Sequence, residues 1–262
     1  LYLFWGRAFM IETTALFFTL AAIPYGIDLL ESRIKLESVF FFSFWMTLGF
    51  LQKITTSVPA FLIIAILIII SNFKYLLKKT KNLKKLVIIY SSFVPPLLFG
   101  GSWYLYSDFV KSKNLLGKQL VSSSLLDWNF GTLEQRLDLN ILKTLFWERI
   151  IQNNAGGIIG IIIIILIFFF AQKRIKNIIF VSLALFIFPI LIFYNLHIIH
   201  DYYQTSSVVF LIFSLSVSIN YLFINFSKKR FSFYVIIILV ILSLFRFTTG
   251  YGLIVRMKID EK

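Results

Sequence analysis

Long apolar runs alternate with short basic clusters along the chain, and this alternation predicts a bundle of membrane-spanning helices. The runs cover 8–30, 36–53, 56–71, 86–106, 155–171, 178–194, 204–224 and 231–247. A helix crosses the ~30 Å hydrocarbon core in about 20 residues, and apolar runs approaching that length need lipid around them. The shorter runs still span if the bilayer thins locally or flanking residues snorkel. The predicted fold is therefore all-α: one polytopic transmembrane domain over 1–262 with about eight spans.

The basic clusters set the orientation. Arg33 and Lys35 follow the first run, and Lys74, Lys78, Lys79, Lys81, Lys84 and Lys85 follow the third. Lys173, Arg174 and Lys176 precede the sixth, and Lys228, Lys229 and Arg230 precede the last. These loops alternate strictly with the others, so the positive-inside rule assigns them to the cytoplasm. The N-terminal stub, the 52–56 turn, the 107–154 segment, the 195–203 turn and the C-terminal tail then face outward.

The 107–154 loop is too long for a simple turn. Leu137, Ile141, Leu142, Leu145, Phe146 and Ile150 recur near helical spacing, with Glu134, Asp138, Lys143 and Glu148 between them. That pattern predicts an amphipathic helix on the outer membrane surface; a small folded loop with its own packing fits it equally. Gly156, Gly157 and Gly160 open the fifth run with small-residue spacing that lets helices approach closely.

Composition agrees. Hydrophobic residues make up 59% of the chain, 31 of them Phe, above the roughly 45–50% of soluble domains. The net charge of +14 sits largely in the clusters between apolar runs, where cations set topology and meet anionic lipid headgroups. No aromatic-plus-basic stripe marks a nucleic-acid groove, so no nucleic acid is expected as a partner. The absence of cysteine excludes disulfides and thiolate metal sites. The chain opens on apolar Leu1-Tyr2-Leu3-Phe4-Trp5 without a basic signal region, which reads as a piece of a longer protein. Its Ile, Phe, Lys and Asn usage points to an AT-rich, bacterial genome and hence to a multi-pass inner-membrane location.

A charge at the bilayer centre costs at least ~2.5–3.5 kcal/mol, so polar groups near span ends carry information. The predicted topology collects several at the outer face, beside helix N-termini whose dipoles are positive there. They are Arg7 and Glu12; Lys53 with Thr55, Thr56 and Ser57; Asn153 and Asn154; and the stretch from His197 to Tyr203. Ser57 fits an N-cap and Pro59 a first helical turn. Lys53 beside unsatisfied helix N–H groups would make a phosphate site, although a snorkelling lysine fits the same spacing. Glu12 suits a metal ligand, a general base or a partner for the helix dipole. Arg7, five residues earlier, is out of register for a helical ion pair with it. His197 and His200, at i,i+3, suit a metal pair, a phosphate contact or an interfacial aromatic belt. There is no Walker loop, dinucleotide fingerprint or HExxH motif, so nothing supports nucleotide chemistry on the cytoplasmic side.

Three stretches together resemble the GT-C membrane glycosyltransferases, the group of dolichyl-phosphate-mannose protein mannosyltransferases, aminoarabinose transferases and Rgt-like enzymes. Gly6-Arg7-Ala8-Phe9-Met10-Ile11-Glu12 is similar to their Arg-x-x-x-x-Asp/Glu opening of a span. Gly49 to Lys53 is similar to their glycine-to-lysine stretch, and His200-Asp201-Tyr202-Tyr203 to their His-Asp-Tyr-Tyr stretch. The resemblance implies transfer of a sugar from a polyprenyl-phosphate carrier to a lipid, glycan or protein acceptor outside the cytoplasm. By it, Glu12 would be a catalytic acid at the site's mouth, and Glu12 and His200 leave room for a divalent metal ion. Arg7, Lys53, His200, Asp201 and Tyr203 would bind substrate, with Lys53 facing the lipid phosphate. The family's principal catalytic aspartate, in the first outer loop, has no counterpart here, which implies that this piece is an incomplete enzyme. A transporter or flippase of a lipid-linked or anionic solute, or a non-catalytic assembly subunit, are the competing readings.

Overall fold

A computed structural model of the protein describes residues 11–30, 35–77, 83–225, 233–234, 236–245 and 248–249. Among them the secondary structure is helical, with no strand. In chain order the helices are α1 (Ile11–Leu30), α2 (Leu36–Leu77), α3 (Leu83–Ser91), α4 (Val94–Ser112), α5 (Leu126–Phe130), α6 (Leu133–Leu137) and α7 (Leu139–Leu142). After α7 the chain winds on as a π-helix, Lys143–Asn154, followed by α8 (Ile158–Phe170), α9 (Lys173–Ile192), α10 (Tyr194–Ile199) and α11 (Thr205–Asn225). A further helix, α12, covers Ile236–Phe245.

Five helical stretches are long and apolar enough to cross a membrane: Ile11–Leu30, Leu36–Asn72, Lys84–Ser112, Lys173–Ile192 and Asp201–Asn225. A sixth counts if the bent pair Leu139–Asn154 and Ile158–Phe170 forms one span. Their outward faces carry large apolar side chains such as Phe17, Phe40, Ile70, Leu98 and Phe180, each more than half exposed. Apolar surface on that scale is stable only against lipid or another apolar partner. The chain is an integral membrane protein.

One predicted run becomes a shorter helix. The 155–171 run yields the 13-residue α8, about 20 Å long, and of the 231–247 run Ile236–Phe245 is a described helix. The chain divides into two compact units, one within 9–129 and one within 130–262, and each is described by itself.

In the 9–129 unit, α2 is not straight. Lys53 adopts extended backbone angles, φ −160° and ψ 102°, in the middle of it. Phe42 and Phe61 both pack on the Phe93 ring, with centroids 5.2 and 5.1 Å away. Nineteen residues of unbroken helix would hold Phe42 and Phe61 about 28 Å apart, so α2 folds back at Lys53 into an antiparallel pair. Gly49 makes the closure possible, because a methyl group there would lie 2.6 Å from the Ser57 hydroxyl. At the other end of α1, Ser38 donates to the Asp28 carboxylate at 2.7 Å.

The predicted outer loop is a chain of short capped helices. In the first unit, the Ser122 amide donates to both Asp108 carboxylate oxygens, tying the loop to α4. In the second, Thr132 and Gln135 form a reciprocal capping box at α6. Asp138 then turns extended and caps α7. That break corrects the predicted register: Leu137 is exposed, whereas Leu145 and Ile150 are buried on the helix that follows.

Arg136 fastens α6 to the end of α9. Its guanidinium donates to the carbonyls of Leu191 (2.7 Å), Ile192 (3.2 Å) and Phe130 (2.6 Å) and lies over the Tyr194 ring. A cation at the last carbonyls of a helix satisfies acceptors that the helix cannot. Arg136→Ala should cost about 1–3 kcal/mol, read as a lower thermal midpoint of the purified protein in detergent. Arg136→Lys should recover only part of it, because an ammonium lacks the planar fork.

Candidate functional site

In the 9–129 unit the sequence-flagged residues meet at the fold in α2. Glu12 is 2% exposed, and its carboxylate accepts a hydrogen bond and ion pair from the Lys53 ammonium. Lys53 is itself the extended residue at which α2 breaks. Seven residues further along the same face of α1, the Thr19 hydroxyl donates to Ser57 at 2.9 Å. Two polar contacts therefore join α1 to the hairpin, one charged at the tip and one neutral further in.

Two local expectations are corrected. Ser57 is not an N-cap: the helical backbone resumes directly after Lys53, and Ser57, fully buried, serves the contact with Thr19 instead. Pro59 accordingly falls in the second turn rather than the first. Arg7 lies outside the described residues.

In the 130–262 unit a pocket of about 460 Å³ opens between the π-helix and the turn after α10. Thr144, Glu148, Arg149 and Asn153 line one side, and His200, Asp201 and Tyr202 the other. The winding explains the first group. At 3.6 residues per turn, Thr144 and Asn153 would lie two and a half turns apart, on opposite faces. At about 4.4 residues per turn, as i→i+5 bonding gives, they come within about two full turns and share a stripe with Glu148.

The turn is held from behind. Arg149 donates to the His197 carbonyl at 2.5 Å, and Asn154 donates to Gln204 at 2.9 Å. Gln204 is fully buried. His200 stacks on Tyr202 with centroids 5.0 Å apart, and Tyr203 packs tilted against Tyr202 at 4.6 Å.

Of the predicted cluster, His200 and Asp201 line the pocket, while Tyr203 stands behind Tyr202. His197 is 3% exposed and packs on Tyr203, so the two histidines do not line the pocket as a pair. Gly156 and Gly157, with φ of 72° and 78°, turn the chain between the π-helix and α8. Gly160 is required first by that turn, since a methyl group there would lie 1.8 Å from the Ala155 carbonyl oxygen; Leu215 of α11 is at ordinary contact distance.

No family model, curated protein or solved structure matches the chain. The site is therefore read from its own chemistry. The divalent ion that the resemblance leaves room for finds no fitting donor set among the described residues. Glu12 is engaged by Lys53, and among the described residues no three His, Asp or Glu side chains converge, where a closed site needs about four ligands. Thr144, Glu148 and Arg149 carried no sequence signal as a site, because an α-helical reading turns Arg149 and Asn153 away from the Thr144–Glu148 face.

Proposed function

We propose that the protein is a membrane glycosyltransferase of the GT-C type, moving a sugar from a polyprenyl-phosphate carrier to a lipid, glycan or protein acceptor on the extracytoplasmic side. The observation that carries this reading is Lys53, held by Glu12 at the tip of a helical hairpin. When the bond from sugar C1 to the phosphate oxygen breaks, the carrier phosphate gains negative charge. A fixed ammonium stabilises that charge as it develops, without reorganising at the moment of reaction. An ammonium has three donors, so one can serve Glu12 while another meets a phosphate oxygen. In this reading the Glu12 carboxylate orients Lys53. The reading keeps eight spans, with the hairpin counted as two, and the 139–154 helix at the outer interface of a bacterial inner membrane.

A second reading has its own observation. Each compact unit contains a broken helix, at Lys53 and at Gly156–Gly157, and discontinuous helices are where secondary transporters bind solutes. One experiment separates the two. Membranes expressing the protein in its natural reading frame are given radiolabelled polyprenyl-phosphate sugars, and label in acceptor is measured beside uptake into vesicles. Transfer should occur and fall about 100-fold or more in Lys53→Met/Glu12→Leu, which removes both charges together and so keeps the fold. Uptake without transfer, lost in the same variant, would replace this reading with transport.

A further inference from the structure

The pocket in the 130–262 unit has a chemistry different from that of Lys53. Two carboxylates, Glu148 and Asp201, line it against one guanidinium, Arg149, so it offers no net positive charge to a phosphate. Among the described residues, the side chains of Thr144, Glu148 and Asn153 make no hydrogen bond or ion pair. All three stand on the one stripe that the π-helix creates, and Glu148 and Asn153 are exposed. A hydroxyl, a carboxylate and an amide thus face the same space with their hydrogen-bonding capacity unspent. Opposite them, the stacked His200–Tyr202 pair presents ring surface beside the Asp201 carboxylate.

We infer that this pocket binds a neutral sugar ring. Sugar hydroxyls are donors and acceptors at once. Carboxylates accept from them, an amide does both, and the Arg149 guanidinium donates. The C–H face of the ring is apolar and matches the flat aromatic pair, in the manner of pockets that combine apolar surface with a few placed polar groups. The volume of about 460 Å³ suits a monosaccharide or a short glycan. A long π-helix is costly in hydrogen-bond geometry, and such windings recur at functional sites; here the winding produces the stripe. The inference rests on the transferase reading for its role, as the place where the transferred sugar or the acceptor glycan is held. The binding itself can be measured without it.

The test uses the full chain in detergent micelles and the methyl glycosides of glucose, galactose, mannose and N-acetylglucosamine as probes. Saturation-transfer NMR should show contact to the ring protons of at least one of them. Glu148→Gln and Asn153→Ala, both on exposed positions, should weaken that binding about tenfold each, equivalent to the loss of one good hydrogen bond. Glu134→Gln, a carboxylate outside the pocket, should leave it unchanged. No contact from any glycoside up to its solubility limit would overturn the inference, as would equal binding in the two pocket variants. Inorganic phosphate binding that depends on Arg149 would overturn it too, making the pocket an anion site. Glycoside binding lost in the pocket variants, in membranes that transfer no sugar, would retain this site and reject the transferase. Transfer that is insensitive to Glu148→Gln and Asn153→Ala would do the reverse.

Discussion

Lys53→Met alone should lower the stability of the protein by about 3–5 kcal/mol, the usual cost of breaking a buried ion pair from one side. The effect is large because Glu12 is 2% exposed and its carboxylate would be left without the ammonium that faces it. Water cannot replace that partner where the carboxylate sits, so the uncompensated charge carries its full desolvation cost. Lys53→Met/Glu12→Leu should return most of the loss, since replacing both charges with packed apolar groups is often neutral or stabilising. Thermal midpoints in one detergent, taken for both single variants and the double variant, give the coupling directly. If each single variant melts with the parent, the pair does not hold the hairpin to α1. If the double variant melts below both, Lys53 and Glu12 have separate structural roles.

The bend between the π-helix and α8 is the second place where one methyl group should matter. Gly157 has φ 78° and ψ −167°, a combination open essentially to glycine, and alanine there should cost about 1–3 kcal/mol. Gly160→Ala should cost at least as much, because its methyl would lie 1.8 Å from the Ala155 oxygen and the 89° bend must open to admit it. Gly101→Ala is the control, as a methyl there meets nothing within 4 Å. Hydrogen exchange across 143–154 is the readout. Both bend variants should lose protection there, and the control should match the parent. Unchanged protection in Gly160→Ala would mean that the π-helical segment does not depend on the bend.

Part of the site in each unit was legible from charge and position. Glu12, Lys53, His200 and Asp201 stand out in sequence because a charged or ionisable side chain beside an apolar run is expensive and therefore conspicuous. Tyr202, rather than the flagged Tyr203, lines the pocket. Adjacent residues of a tight turn project differently, and motif position does not reveal which one faces the cavity. The i,i+3 spacing of His197 and His200 promised a pair. The helix ends at Ile199, so the second histidine leaves the register that would have aligned them.

The membrane character and the all-helical class follow from the chain's own order of residues, because the length and spacing of apolar runs are local properties that lipid selects directly. The partnership of Glu12 with Lys53 spans 41 positions, and no local periodicity encodes it. It arises because the chain reverses at Lys53 and α1 packs along the reversed pair. The same holds for the pocket. Read at 3.6 residues per turn, Thr144, Glu148 and Asn153 have no common face; the wider winding of 143–154 puts them on one. That winding ends in a glycine bend packed against Leu239, a contact made by chain more than eighty residues downstream. Local hydrophobicity was enough to assign the helices to a membrane, and packing between distant segments was needed to bring their polar groups together.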